Sequence, residues 1–268
     1  MIPLAVSSLP SSAASLRDAL EQSLRQLIRP TRTMVAVEDR NYPALAAIRI
    51  RLDNATLIDR PPKSGESSGA VEAAFQVDNL EIVGAPIRLR EAAIELRCRA
   101  SHVVFGQARD TNGDVTLILQ KAEEGSVEVA TSVNDLEEAV RVGAKAAAAQ
   151  QGVNVEDVKI DLRSRDDRTV DVKVNVRAKK LFLSATVRIN GSVTLDEHLN
   201  ARLAGLTCAG DGPLGSLACN FLTPYLQRFE GREFSLLALS LGEIKLRDVR
   251  LAAGKDLRIT AQFGQSPA

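Results

Sequence analysis

Apolar residues recur along this chain with two periods, and the places where the period changes divide it into elements. Between 15 and 29, Leu16, Leu20, Leu24, Leu27 and Ile28 follow one helical stripe, and Pro30 predicts its end. The period then falls to two. Ile48, Ile50 and Leu52 alternate with Arg49, Arg51 and Asp53, and the Pro- and Gly-rich stretch 61–69 predicts a loop. Alternating runs at 71–83 and 87–104 predict two further strands, with Gly84 and Pro86 at the turn between them. Asn112 and Gly113, just before the run that starts at Val115, predict a hairpin.

Asn134 followed by Glu137 has the spacing of a capping box and predicts a helix to about Gln151, where Gly152 supplies the stop. Gly143, Ala144 and the alanines at 146–149 give this helix little volume, so either a neighbouring backbone or an acyl chain fills the space beside it. Strands with one wet face come next. Val158, Ile160 and Leu162, then Val170, Val172, Val174 and Val176, then Leu181, Leu183, Ala185, Val187 and Ile189 alternate with polar residues, with turns at 165–168 and at Asn190-Gly191. Pro213 suits the first position of another helix, whose Leu214, Leu217, Phe221, Leu222, Tyr225, Leu226 and Phe229 recur at helical spacing. Pro224 predicts a kink or an early end to it. Runs at 234–241, 244–251 and 257–263, with turns at Gly242 and Gly254, close the chain.

This order of elements predicts an α+β fold, with one elongated domain over 34–264, an N-terminal segment 1–33 carrying the first helix, and a tail 265–268. Equal numbers of basic and acidic residues, 34 each in 268 residues, argue against a nucleic-acid partner, which calls for a surplus of Lys and Arg on one face. The absence of Trp, with two Tyr and seven Phe, leaves few aromatic anchors for base or sugar stacking. Two His and three Cys are too few for a zinc site at any recognised spacing, and neither a metal nor another cofactor is called for. Cys208 and Cys219 could close a short loop in an oxidising compartment, but the composition favours buried free thiols.

No segment reaches the run of about 20 apolar residues that spans a bilayer, and the first ten residues lack the basic n-region of an export signal. The expected location is cytoplasmic or peripheral at the inner membrane, or periplasmic if a signal has been removed. Arg17, Arg25, Arg29 and Arg32 flank the first helical stripe, which suits either contact with an anionic membrane or docking on the chain's own core. The sequence also leaves room for a homodimer.

Catalytic patterns are missing. There is no G-x-S-x-G elbow, no Cys/His pairing at a helix start and no phosphate-binding glycine motif. His198 stands beside Asp196 and Glu197, a setting that allows acid–base work but is commoner for a solvated strand end. Residues 110–114 lack the later Glu that a calcium loop requires. What remains is shape: aliphatic strands and helices with greasy or small faces suit a sheet curled over helices around an apolar interior.

Residues 222–236, the continuation through Leu239, Leu241, Ile244, Leu246, Val249, Gly254 and Leu257–259, and the strands at 76–84, 92–96 and 127–140 resemble the LmeA-like phospholipid-binding family, whose fold is similar to the tubular lipid-binding (TULIP) superfamily. The resemblance covers roughly 16–263 and rests on the order of weak aliphatic motifs. It implies a highly curved antiparallel sheet wrapped around long helices, with acyl chains of a phospholipid or other long-chain lipid held in an apolar groove. Within that picture the candidate lipid-binding residues are Leu136, Val140 and Ala144 of the central helix and Leu217, Phe221, Leu222, Tyr225 and Leu226 of the last one. Membrane contact falls to Arg17, Arg25, Arg29 and Arg32. The expected function is non-enzymatic lipid binding and transfer. The alternatives are an enzyme or accessory factor acting on envelope glycolipids, and a closed scaffold without ligand.

Overall fold

Alternation of aliphatic and charged residues builds two sheets in the computed structural model, which describes residues 2–58, 68–89, 91–149, 152–180, 183–235 and 246–264. The first half of the chain runs β1 (Ile2–Pro3), α1 (Ala13–Leu27), β2 (Ile28–Arg29), β3 (Val35–Asn41), β4 (Ala44–Arg51), β5 (Thr56–Leu57), β6 (Ser68–Leu89), β7 (Ala92–Arg109), β8 (Val115–Lys121) and β9 (Glu124–Ser132). After it come α2 (Val133–Ala149), β10 (Asn154–Ser164), β11 (Thr169–Lys180), β12 (Leu183–Leu195), β13 (Asn200–Gly210), α3 (Gly212–Phe229), β14 (Glu233–Ser235), β15 (Leu246–Ala253) and β16 (Asp256–Gly264).

Sheet 1 has 11 strands, ordered β15-β16-β9-β7-β6-β4-β3, with the short strands and β8 attached beside this path. It is strongly curled. Its backbone is the long hairpin of β6 and β7; β8 and β9 lie end to end along the other edge of β7. The sheet departs from a wholly antiparallel plan, because β4 and β5 each pair parallel to β6. Sheet 2, ordered β10-β11-β12-β13-β14, is antiparallel throughout.

The N-terminal segment is part of the first core. Leu16, Leu20 and Leu24 of α1 are buried with Leu45 and Ile48 of β4, Phe75 and Val77 of β6 and Val103 and Phe105 of β7. Ser12 and Ser15 close the capping box that starts α1. A second, smaller core joins the two sheets: Val170, Leu195 and Ala201 of sheet 2 pack with Val249, Leu251 and Ala261 of β15 and β16.

Two expected turns lie inside strands. Gly84 and Pro86 mark a register shift within β6, which continues to Leu89. A side chain at Gly84 would collide with Ile87 and Leu52, so this glycine serves close packing. Asn190 and Gly191 likewise sit within β12, at a bulge where Leu206 of β13 fills the space over Gly191. The turn that follows β12 is held by Asp196, whose carboxylate accepts from the N–H groups of His198 and Asn200 at 2.8 Å each. The hairpin at Asn112-Gly113 is present, with Gly113 at φ 86°. The loop 61–67, the end of the central helix at Gln151, Leu181, and the strand and turn expected over 236–245 lie outside the described residues.

α2 starts at Val133, and its cap lies two residues before the expected one at Asn134. Ser132 caps it by accepting from the N–H of Asp135 at 3.0 Å. Glu137 instead reaches the edge of sheet 2, accepting from the N–H of Ile160 at 2.9 Å and pairing with Lys159 at 3.0 Å. α3 passes through Pro224 without ending and reaches Phe229. Cys208 and Cys219 form a disulfide that ties α3 to β13, in place of the free thiols that composition favoured.

Candidate functional site: an apolar trough on sheet 2

Sheet 2 has one apolar face. Its registers place Val158, Val176 and Val187 in one row and Ile160, Val174 and Ile189 in the next. Both internal helices lie on that face: α3 runs along β13 and β12 and is bonded to Cys208, the neighbour of Ile189, and α2 runs along β10, whose Val158 is buried. β11 runs between them, and its Val174 and Val176 are only half-buried.

Three contacts pin α3. Its disulfide is one. At its start, Gly215 lies so close to Gly210 of β13 that a Cβ on either would overlap the backbone of the other. At its end, Glu230 accepts from the N–H groups of Gly205 and Leu206 at 2.8 Å each. Those two donors hold the Glu230 carboxyl below its ordinary range.

Chain handedness fixes which way the helices turn. Leu203, on the apolar face of β13, directs its N–H and C=O away from β12, towards Arg232 and Gly231. With that face towards the viewer and β13 pointing up, β12, β11 and β10 therefore follow to its left. α3 runs down over β13, and α2 runs up over β10. At about 100° per residue, Gly215, Cys219, Leu222 and Leu226 of α3 face the sheet, Ser216, Asn220 and Gln227 turn right, and Leu214, Ala218 and Tyr225 turn left. On α2, Glu137 and Ala144 face β10, Glu138 and Lys145 turn away, and Leu136, Val140 and Ala147 turn towards α3. Two apolar flanks thus face each other across β11, forming a trough with a valine floor.

The sequence-predicted residues divide accordingly. Leu136, Val140 and Tyr225 border the trough. Ala144, Leu222 and Leu226 lie between helix and sheet. Leu217 and Phe221 point outward and are 52% and 69% exposed. No residue of α2 is buried, and nothing comes within 4 Å of a Cβ built on Gly143, so no backbone packs on the small residue there. Sequence alternation marks the floor valines of β11 only as strand, because it does not say which stretch of a sheet its helices leave uncovered.

The N-terminal arginines lie on and just after the helix that docks on the first core. The apolar stripe they flank is buried, and three of the four meet carboxylates: Arg17 with Asp18, Arg25 with Glu21 and Arg32 with Asp53. Arg29 is exposed.

Acid–base groups do not converge on the trough. His198 is exposed in the turn after β12. His102, on β7, faces Glu123 at 2.8 Å on the surface. Cys98 is a free thiol, pushed up to about 11 by burial. Two surface depressions, of about 230 and 470 Å³, lie on sheet 1; charged groups line both, Asp78, Lys121 and Glu123 beside Val77, Val103 and Val104 in one and Arg97, Arg99 and Arg250 in the other. Among the described residues no group of His, Cys, Asp and Glu could hold a metal ion, and no helix is long and apolar enough to cross a membrane. Comparison with protein-family models, with curated proteins and with solved structures finds no match to this chain.

Proposed function

We propose that the trough binds the acyl chains of a phospholipid or another long-chain lipid, and that the protein carries such a lipid without chemically altering it. The observation that carries this reading is the pair of apolar helix flanks turned towards each other over a half-buried valine floor. A chain laid on that floor gains about 0.8 kcal/mol for each methylene it buries, so ten methylenes outweigh a substantial ordering cost. No particular side-chain chemistry is needed, which suits a site built from Leu, Val, Ala and a single Tyr. The resemblance to the LmeA-like and tubular lipid-binding proteins points the same way, with the finer picture of a curved sheet closing around helices and lipid together. The headgroup would remain in solvent. As a carrier, the protein would meet a membrane peripherally.

Native and denaturing mass spectrometry of protein purified without detergent tests the reading. Near-stoichiometric lipid should accompany the wild type and be lost from Val140→Trp, which fills the trough from its α2 side, while circular dichroism stays unchanged. An empty wild type that also takes up no fluorescent phospholipid from vesicles would overturn it in favour of a closed scaffold. Chemically modified lipid recovered after incubation would instead favour an enzyme.

A further inference from the structure

The outer face of α3 is apolar where a solvent-facing helix is ordinarily polar. Leu217 and Phe221 point outward, 52% and 69% exposed, and Tyr225, 59% exposed, carries the apolar surface on to the rim of the trough. They cannot be awaiting burial by a roll of the helix, because the disulfide, the Gly210–Gly215 contact and Glu230 fix its rotation from three points.

Charge tells what this face fits. α3 contains no carboxylate over its 18 residues. Arg228 sits over the Tyr225 ring at 5.6 Å, and Arg232 lies 6.0 Å from the Phe229 ring and 5.6 Å from that of Phe234. Among the described residues neither arginine has an ion pair, in contrast with Arg17, Arg25 and Arg32 of the N-terminal segment. Of the described carboxylates near α3 in sequence, Glu230 serves the β13 amides, Asp211 pairs with Arg188 at the far end of the helix, and Glu233 of β14 is exposed and pairs with neither arginine. Aromatic and aliphatic side chains beside unpaired guanidinium groups match the boundary of a bilayer, where rings and stems enter the acyl region and cations meet phosphate.

We propose that the outer face of α3, through Leu217, Phe221, Tyr225 and Arg228 with Arg232 at its end, docks on the surface of an anionic phospholipid bilayer. This goes beyond lipid carriage, since docking does not require the trough to be filled.

The chain contains no tryptophan, so Phe221→Trp supplies a single reporter at the centre of the face. Its emission should shift to the blue with vesicles of phosphatidylcholine and phosphatidylglycerol, and much less with phosphatidylcholine alone. In co-sedimentation with the mixed vesicles, Arg228→Glu with Arg232→Glu should weaken binding at least roughly tenfold, and added salt should weaken the wild type. Phe221→Ser should also release the protein from them. Unchanged emission with anionic vesicles, or binding indifferent to both sets of substitutions, would overturn the proposal. The two readings fail separately: Val140→Trp should still sediment, and a wild type that neither holds lipid nor takes up fluorescent phospholipid from vesicles, yet sediments, would sink the carrier reading alone. If the Arg228→Glu, Arg232→Glu protein keeps its co-purified lipid while losing vesicles, both stand.

Discussion

Glycine has opposite meanings at two positions that are indistinguishable in composition. Gly143 lies inside α2 with open space where a side chain would go. Gly215 lies inside α3 against the backbone of Gly210 and the carbonyl of Thr186. In a helix interior, Gly costs about 0.5–1 kcal/mol relative to Ala through backbone entropy. Gly143→Ala should therefore raise stability by about that amount. Gly215→Ala gains the same entropy but forces α3 off β13, and overpacking of this kind costs about 1–3 kcal/mol. Urea unfolding of the two variants should move the midpoint in opposite directions, and a rise for Gly215→Ala would show that the helix is free to lift. From the sequence alone both glycines read as weak points of a helix, because the distinction depends on what the neighbouring strand brings close.

At the scale of elements, the sequence was most legible where one local pattern settles the matter. The stripe of α1, the alternation of β10 and β11 and the turn at Asn112-Gly113 all formed where the residues predict them. It misled where a residue could act at longer range. Glu137 has the spacing of a capping partner, yet it serves Ile160 and Lys159 on β10 while Ser132 caps the helix. Asn190-Gly191 has the composition of a turn, yet it runs on as strand opposite a bulge of β13, whose Leu206 packs over Gly191. Glu230 is a further case, since a charged residue beyond a helix end reads as solvent-exposed but here satisfies two amides of the bulged β13. Its folded pKa lies below the ordinary 4.5. The stabilisation it contributes is thus fully present above that value and is lost as pH falls through the lower folded one. The stability gap between wild type and Glu230→Gln should be widest near neutral pH and narrow below about pH 4.3. A gap that stays constant down to acid pH would mean that the charge on Glu230 plays no part in seating α3.

Across the whole molecule, the two cores are unequal. Among the described residues, 25 are buried in the cluster of sheet 1 and α1, against seven in the cluster that joins sheet 2 to β15 and β16. Among the described residues, the rest of sheet 2's apolar face has only α2 and α3 for cover, and α2 buries none of its own residues. This asymmetry was half legible: the alternating strands announced a sheet with one wet face, but which stretch of the other face its helices leave open depends on where they dock, over β10 and over β13. A thinly cored sheet opens at lower free energy than a fully cored one. Native-state amide exchange should therefore show Val174 and Val187 of sheet 2 exchanging through cheaper openings than Val77, Val103 and Leu117 of sheet 1. A ligand that binds only the folded trough stabilises it by mass action, by about 2.7 kcal/mol when present at a hundredfold excess over its dissociation constant. Added phospholipid should then slow exchange in β10 to β12 and leave the amides of sheet 1 as they were. Equal protection of both sheets in the lipid-free protein would mean that the half-covered face costs nothing, and the physical case for an occupant of the trough would go with it.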